Sequence, residues 1–331
     1  MNVRLTGLPV IAGTVLFLAL GAVPWVANAL DEPFWTSFFA RVLVYAIAAS
    51  ALNLALGYGG LVSFGHALFL GLGVYAVALP SHYGIGSGMA HLLICIGVCA
   101  TVSLVVGFVS LRTSGMAFIM ITLAFAQMGY FLFVSLKQYG GDDGLPVAMT
   151  SRFGDLSLGS TDSVYVAAWV VLALLTWWMA RLRTSPFGMA LRGARQNARR
   201  VAAIGLQVHQ IQLVAFILSG VLCGLAGFLL ANLNAFASPT SMAWMVSGEL
   251  IVMVVLGGIG TVAGPVVGAL VYLGLEEFIK GFTEHWMVIF GPLVVLLTLV
   301  GKQGIVGTLV QWIDWTPRPS AAVPTTTEDR G

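Results

Sequence analysis

Short polar interruptions divide this chain into about ten apolar runs, most of them near the length a helix needs to cross a bilayer. About 20 apolar residues suffice, at a rise of about 1.5 Å each. The runs cover 8–29, 36–56, 61–79, 89–111, 116–136, 164–180, 211–233, 242–256, 262–279 and 286–300. The eighth and ninth are short, and Gly257-Gly258-Ile259-Gly260 between them reads as a loop or as a break within one helix. Of the 331 residues 59% are hydrophobic and 8% charged. Soluble domains carry about 25% charged residues, so such a chain could not cover itself with a water-facing surface. The fold class is an all-α polytopic membrane protein with roughly ten transmembrane helices. Residues 1–315 form its transmembrane domain, and 316–331, rich in Pro and Thr, read as a disordered tail.

The first run has two readings. Arg4, the apolar stretch and Ala27-Asn28-Ala29 match a cleaved signal peptide. The stretch exceeds the usual signal core of about 7–15 residues, and we read it as a retained helix. The positive-inside rule then sets orientation. With the N-terminus in the cytoplasm, Arg4, Arg112, Arg181, Arg183, Arg192, Arg195, Arg199, Arg200, Lys302, Arg318 and Arg330 fall inside, against Arg41, Lys137, Arg152 and Lys280 outside. Both termini are expected in the cytoplasm, and the acidic loop with Asp142, Asp143, Asp155 and Asp162 outside. Ten crossings divide into five plus five, an inverted repeat of the kind transporters use. Net charge is +2, which gives no support to nucleic-acid binding.

Residues 181–212 form the one long basic stretch. Ser185-Pro186 suits a helix start, with serine as cap and proline at the first position. Phe187, Leu191 and Ala194 recur at helical spacing, and Gly205 ends the run. Such a helix suits docking to another protein; its rivals are a membrane-surface helix and plain positive-inside anchoring. There is no phosphate-binding G-x-x-x-x-G-K-[ST], no H-E-x-x-H and no G-x-S-x-G. We therefore expect no catalytic residues, no metal site and no bound cofactor. Cys95, Cys99 and Cys223 read as small packing residues.

Polar groups within apolar runs are the candidates for a substrate path: Ser63, His66, Thr122, Gln127 and Glu249, with Gly257 and Gly258 as a possible helix break. Each has a structural reading beside it. The glycines serve tight helix packing, His66 a core hydrogen bond, and Glu249 a place near the interface.

Five stretches in order resemble the permease subunits of branched-chain amino-acid ABC transporters, in the LivM branch. They are GYGGLVSFGHA (57–67), RTSGMAFIMITLAFAQ (112–127), GGDDGL (140–145), the region 185–219 and LGGIGTVAGPVVGA (256–269). Arg199-Arg200 departs from the family pattern. The resemblance implies a bacterial inner-membrane importer for branched-chain or similar small amino acids, with ATP hydrolysed by partner subunits. Its partners would be a second permease, two ATP-binding cassette subunits, a periplasmic binding protein and membrane lipid. Phe187, Gly188, Leu191, Arg192, Arg195, Asn197 and Gly205 would couple to an ATPase, and Asp142 and Asp143 would meet the binding protein. Alternatives are a related importer for urea, amides or aromatic acids, and an ion-coupled secondary transporter.

Overall fold

The computed structural model describes residues 7–29, 31–154, 156–282, 285–300 and 304–313. Arg4, Asp155, Lys302, Arg318, Arg330 and the tail 316–331 lie outside these residues. Among them are twelve α-helices: α1 (Gly7–Ala29), α2 (Pro33–Asn53), α3 (His66–His82), α4 (Gly88–Ser110), α5 (Met116–Ser135), α6 (Thr161–Thr184), α7 (Pro186–Ala203), α8 (Val208–Asn234), α9 (Trp244–Gly257), α10 (Gly264–Lys280), α11 (Trp286–Val300) and α12 (Gly304–Ile313). Short strands β1 (Leu145–Pro146) and β4 (Phe236–Ala237) pair antiparallel, as do β2 (Arg152–Phe153) and β3 (Leu156–Ser157). A helix stands at each of the ten apolar runs, and the basic stretch forms α7. Five stretches are long and apolar enough to cross a membrane: α2 with the π-helical turn Leu54–Tyr58 that extends it, α4, α5, α6 and α8. The helix α12 was not anticipated; it packs against α9 and α10.

The third apolar run differs from its expectation of a helix from residue 61. Helix α3 begins at His66, and residues 59–65 are irregular and largely buried. Side-chain oxygens meet the backbone here: Phe64 N–H donates to Thr122 Oγ1 (3.2 Å) and Gly65 N–H to Ser63 Oγ (3.1 Å). Those bonds replace helical ones, which is how irregular backbone survives at membrane depth.

Helices α2 and α8 form the centre. α3 lies along α8 so closely that a methyl group on Gly73 would overlap the Gly224 carbonyl, and one on Gly227 the Leu70 carbonyl. Small residues permit such backbone contact between membrane helices. The three cysteines are buried beside this seam, where a methyl group on Gly224 would meet Cys99 and Cys95. α2 packs on α10 and α8 on α4; α3 packs on α4 and α9 on α10.

Loops segregate to two faces. On one face Gly57 meets Gly260, and Leu111–Gly115 lies near Arg195. On the opposite face Tyr83 OH meets Tyr139 OH at 2.6 Å, Met149 N–H donates to Ser81 Oγ at 2.6 Å, and β1 pairs with β4.

Helix α1 is fastened to α6 by a proline defect. Pro24 has no N–H, so the Leu20 carbonyl loses its helical donor. Tyr165 OH donates to that carbonyl, and Trp169 Nε1–H donates to the Phe17 carbonyl at 3.0 Å. We predict that Tyr165→Phe lowers thermal stability in detergent by about 1 kcal/mol, the scale of an interhelical membrane hydrogen bond. In a Pro24→Ala background, where residue 24 regains its N–H, the same change should cost clearly less. Equal losses in both backgrounds in melting experiments would refute the pairing.

Candidate substrate path and coupling site

The start of α3 gathers several buried polar groups. His66 is fully buried, edge-on to Phe69 and Phe216. Its Nε2 lies 2.7 Å from Ser219 Oγ. The single hydroxyl hydrogen of Ser219 goes to the Ala51 carbonyl at 2.5 Å. Ser219 must therefore accept from His66, so Nε2 carries the ring hydrogen. Nδ1 is then a bare acceptor, buried without a protein partner. One residue on, Ala67 N–H donates to Ser247 Oγ (2.8 Å) in the first turn of α9. Ser63, His66 and Thr122 thus come together where α3 and α9 both begin, joined by Ser219 and Ser247.

A second polar knot lies on the face that carries α7. Asn53, completely buried, donates from Nδ2 to the Thr261 carbonyl (2.8 Å) and accepts the Gly260 N–H at Oδ1 (2.9 Å). Gly257 and Gly258 close the turn between α9 and α10, so the glycine patch is a loop and not a break within one helix. Gly258 and Gly260 have φ of 124° and 78°, values that favour glycine. Thr261 Oγ1 accepts from Gly264 N–H (3.0 Å) and donates to the Gly258 carbonyl (2.8 Å). The two glycine-rich patches, about 200 residues apart in sequence, are therefore in direct contact through one asparagine.

Helix α7 rests on this knot. Ser185 caps it by accepting the Gly188 N–H at 3.1 Å. Gly188 lies against the Leu182 carbonyl, Leu191 is fully buried, and Phe187 is half-buried against the core. Arg192 donates from Nη2 to the Arg183 carbonyl (2.7 Å). Arg195 reaches across to donate to the Gly57 carbonyl, with Gly60 and Gly260 beside it. Asn197 leaves helical geometry, and its Oδ1 caps the Arg200 N–H at 3.1 Å. From Arg195 to Arg200 the chain is exposed, and Gly205 stands in open space with φ of 87°.

The family model described as "Branched-chain amino acid transport system / permease component" matches residues 34–299. This chain belongs to that family. The permease is 28% identical over 328 residues to the high-affinity branched-chain amino acid transport system permease protein LivM of Escherichia coli K12, covering 90% of this chain and 77% of that protein. It is 24% identical over 287 residues to LivH of the same strain, covering 80% and 91%. A probable LivM of Methanocaldococcus jannaschii is 25% identical over 317 residues, covering 80% and 90%. No solved structure matches the chain. The permease is a transmembrane component of its transport system and not the catalytic one.

The remaining candidates of the permease sit apart from the two knots. Glu249 is half-buried on α9, and the charges that act on it are Glu276, Arg41 and Lys280. Glu276 lies 2.5 Å from Lys280 and 3.9 Å from Arg41. Gln127 is half-buried on α5. Asp142 and Asp143 are exposed on the face opposite α7. That face is braced by His91, which binds Ser151 Oγ and the Ile85 carbonyl (2.8 Å each), and by Asn232, which accepts the Ser151 N–H (2.8 Å). Ser219, Ser247, His91 and Asn232 were not among the expected site residues. Each is a polar group in an apolar run, a signal open to reading, but most of their partners lie far off in sequence. We predict that Ser219→Ala, which strips His66 Nε2–H of its acceptor, destabilises the permease by about 1–3 kcal/mol. Ser219→Thr, which keeps the hydroxyl, should recover part of that loss in the same melting assay.

Proposed function

We propose that this chain is one of two permease subunits of an ATP-binding-cassette importer for branched-chain amino acids in the bacterial inner membrane. Its partners are a second permease, two ATPases and a periplasmic binding protein. The α7 face is cytoplasmic, both termini lie on that side, and the ten helices form two inverted halves of five. Family membership over residues 34–299 carries the transport reading. The two-half reading is supported by parallel anatomy. A 26-residue helical stretch, an irregular segment and a 17-residue helix (33–58, 59–65, α3) are matched by a 27-residue helix, a connecting segment of short strand and 3-10 turn and a 14-residue helix (α8, 235–243, α9). The two short helices begin beside each other, at Ala67 and Ser247.

The coupling residues divide into two sets. Gly188, Leu191, Arg192 and Arg195 hold α7 to the body, with Phe187 against the core. The stretch from Gln196 to Gly205, exposed apart from Val201 and including Asn197, Arg199 and Arg200, meets the ATPase. Motion imposed on that stretch passes through Arg195 to the Gly57 and Gly260 turns, and through 59–65 to Ser63, His66 and Thr122, which line the path with Gln127. Glu249, with its charged neighbours, stabilises α9 against α2 and α10. In the assembled importer, Arg199→Glu with Arg200→Glu should reduce co-purified ATPase by about tenfold, a loss of about 1.4 kcal/mol in association. Arg195→Gln should keep the ATPase but slow uptake. Loss of ATPase in Arg195→Gln alone, with none in the double variant, would reverse this assignment. On the other face, Asp142→Asn with Asp143→Asn should weaken binding-protein affinity at low salt and flatten its salt dependence, because exposed charges are screened within about 10 Å at 0.1 M salt. An unchanged salt profile would remove these aspartates from the docking face.

A further inference from the structure

A cavity of about 630 Å³ opens beneath α7, between the start of α5, the irregular segment after α2 and the beginning of α8. Its volume falls in the range of about 300–1,000 Å³ typical of small-molecule sites. The lining has two chemical halves. Arg195, Gln212 and Ser114 supply donors, while Leu61, Val62 and Ile119 are among the aliphatic lining. No Asp or Glu stands among the described lining residues.

Arg195 has donors to spare. A guanidinium carries five N–H groups, and the Gly57 carbonyl is its one hydrogen-bond partner among the described residues. The N-terminus of α5 opens onto the same space, with Gly115 as an N-cap that offers no side-chain oxygen to the first-turn amides. A helix start favours negative charge. A fixed cation, a helix N-terminus and the lack of acidic lining select a carboxylate. The aliphatic walls select a branched or straight hydrocarbon side chain, and the Gln212 amide oxygen can accept from an ammonium group.

We propose that this cavity is a product site. It takes a free aliphatic amino acid by its carboxylate from the α7 side and slows further transport. A ligand there touches Arg195 on α7 and Leu61–Val62 on the irregular segment at once, so it pins the joint through which α7 acts on the path. This proposal rests on the transport reading above and on its placing of α7 in the cytoplasm.

The test uses the complete importer in proteoliposomes with ATP in the lumen and loaded binding protein outside. Initial uptake of labelled L-leucine is measured with and without millimolar unlabelled L-leucine in the lumen. Wild type should slow by about threefold or more once lumenal leucine is a few times its dissociation constant. Ser114→Asp, which sets a negative charge in the cavity, and Ile119→Trp, which fills it, should each reduce that slowing to about 1.5-fold or less. The ratio within each variant is the readout, so a change in absolute rate does not obscure it. Uptake indifferent to lumenal leucine in wild type, or slowed equally in wild type and whichever variants assemble, would overturn the product site alone. No leucine uptake even with an empty lumen would overturn the transport reading together with it.

Discussion

Backbone groups in hydrocarbon must find partners within the protein, and this constraint governs the molecule at one place above all. Between Gly59 and Gly65 the helix ladder is interrupted inside the membrane-spanning body. Helices satisfy their own N–H and C=O groups; an interrupted chain has to borrow partners from elsewhere. Thr122 on α5 and Ser63 lend theirs to the irregular segment, and Ser247 on α9 takes the amide that follows. Two other pieces of the chain, α5 and α9, are thereby drawn to one point. The start of α3 becomes a junction because its backbone cannot be left alone.

A similar logic explains the face that carries α7. Two helix ends, that of α2 and that of α9, present unpaired carbonyls and amides where the chain turns. From α2, Asn53 answers the turn after α9 twice, donating to the Thr261 carbonyl and accepting the Gly260 N–H, and Arg195 adds a donor to the Gly57 carbonyl from outside. Helix α7, held by buried Leu191 and by a guanidinium, is tied to the rest of the fold at points, and its exposed length is open to meet something else.

Much of the fold was legible in the sequence because hydropathy is a local property. Each apolar run yields a helix near its expected limits, and Ser185-Pro186 begins α7 as capping chemistry requires. What depends on pairs was not legible. The helix expected from residue 61 starts at His66, since Thr122 competes for the backbone from 58 residues away. The two glycine patches looked unrelated, yet they touch through Asn53 across about 207 residues. Ser63, His66 and Thr122 were named singly and prove to be neighbours. Arg195 read as a residue facing an ATPase, and its inward reach past the gap at Gly60 to the Gly57 carbonyl is something no periodicity contains. Glu249 signalled cost rather than location, and its neighbours Arg41 and Glu276 lie on two other helices.

The proline in α1 ties two distant parts of the chain together. The partner of the Leu20 carbonyl is Tyr165, 145 residues downstream. Without that hydroxyl the carbonyl has no donor from its own helix, because residue 24 has no N–H to give. Pro24 and Tyr165 are therefore a matched pair across two helices, and neither can be changed without altering what the other does.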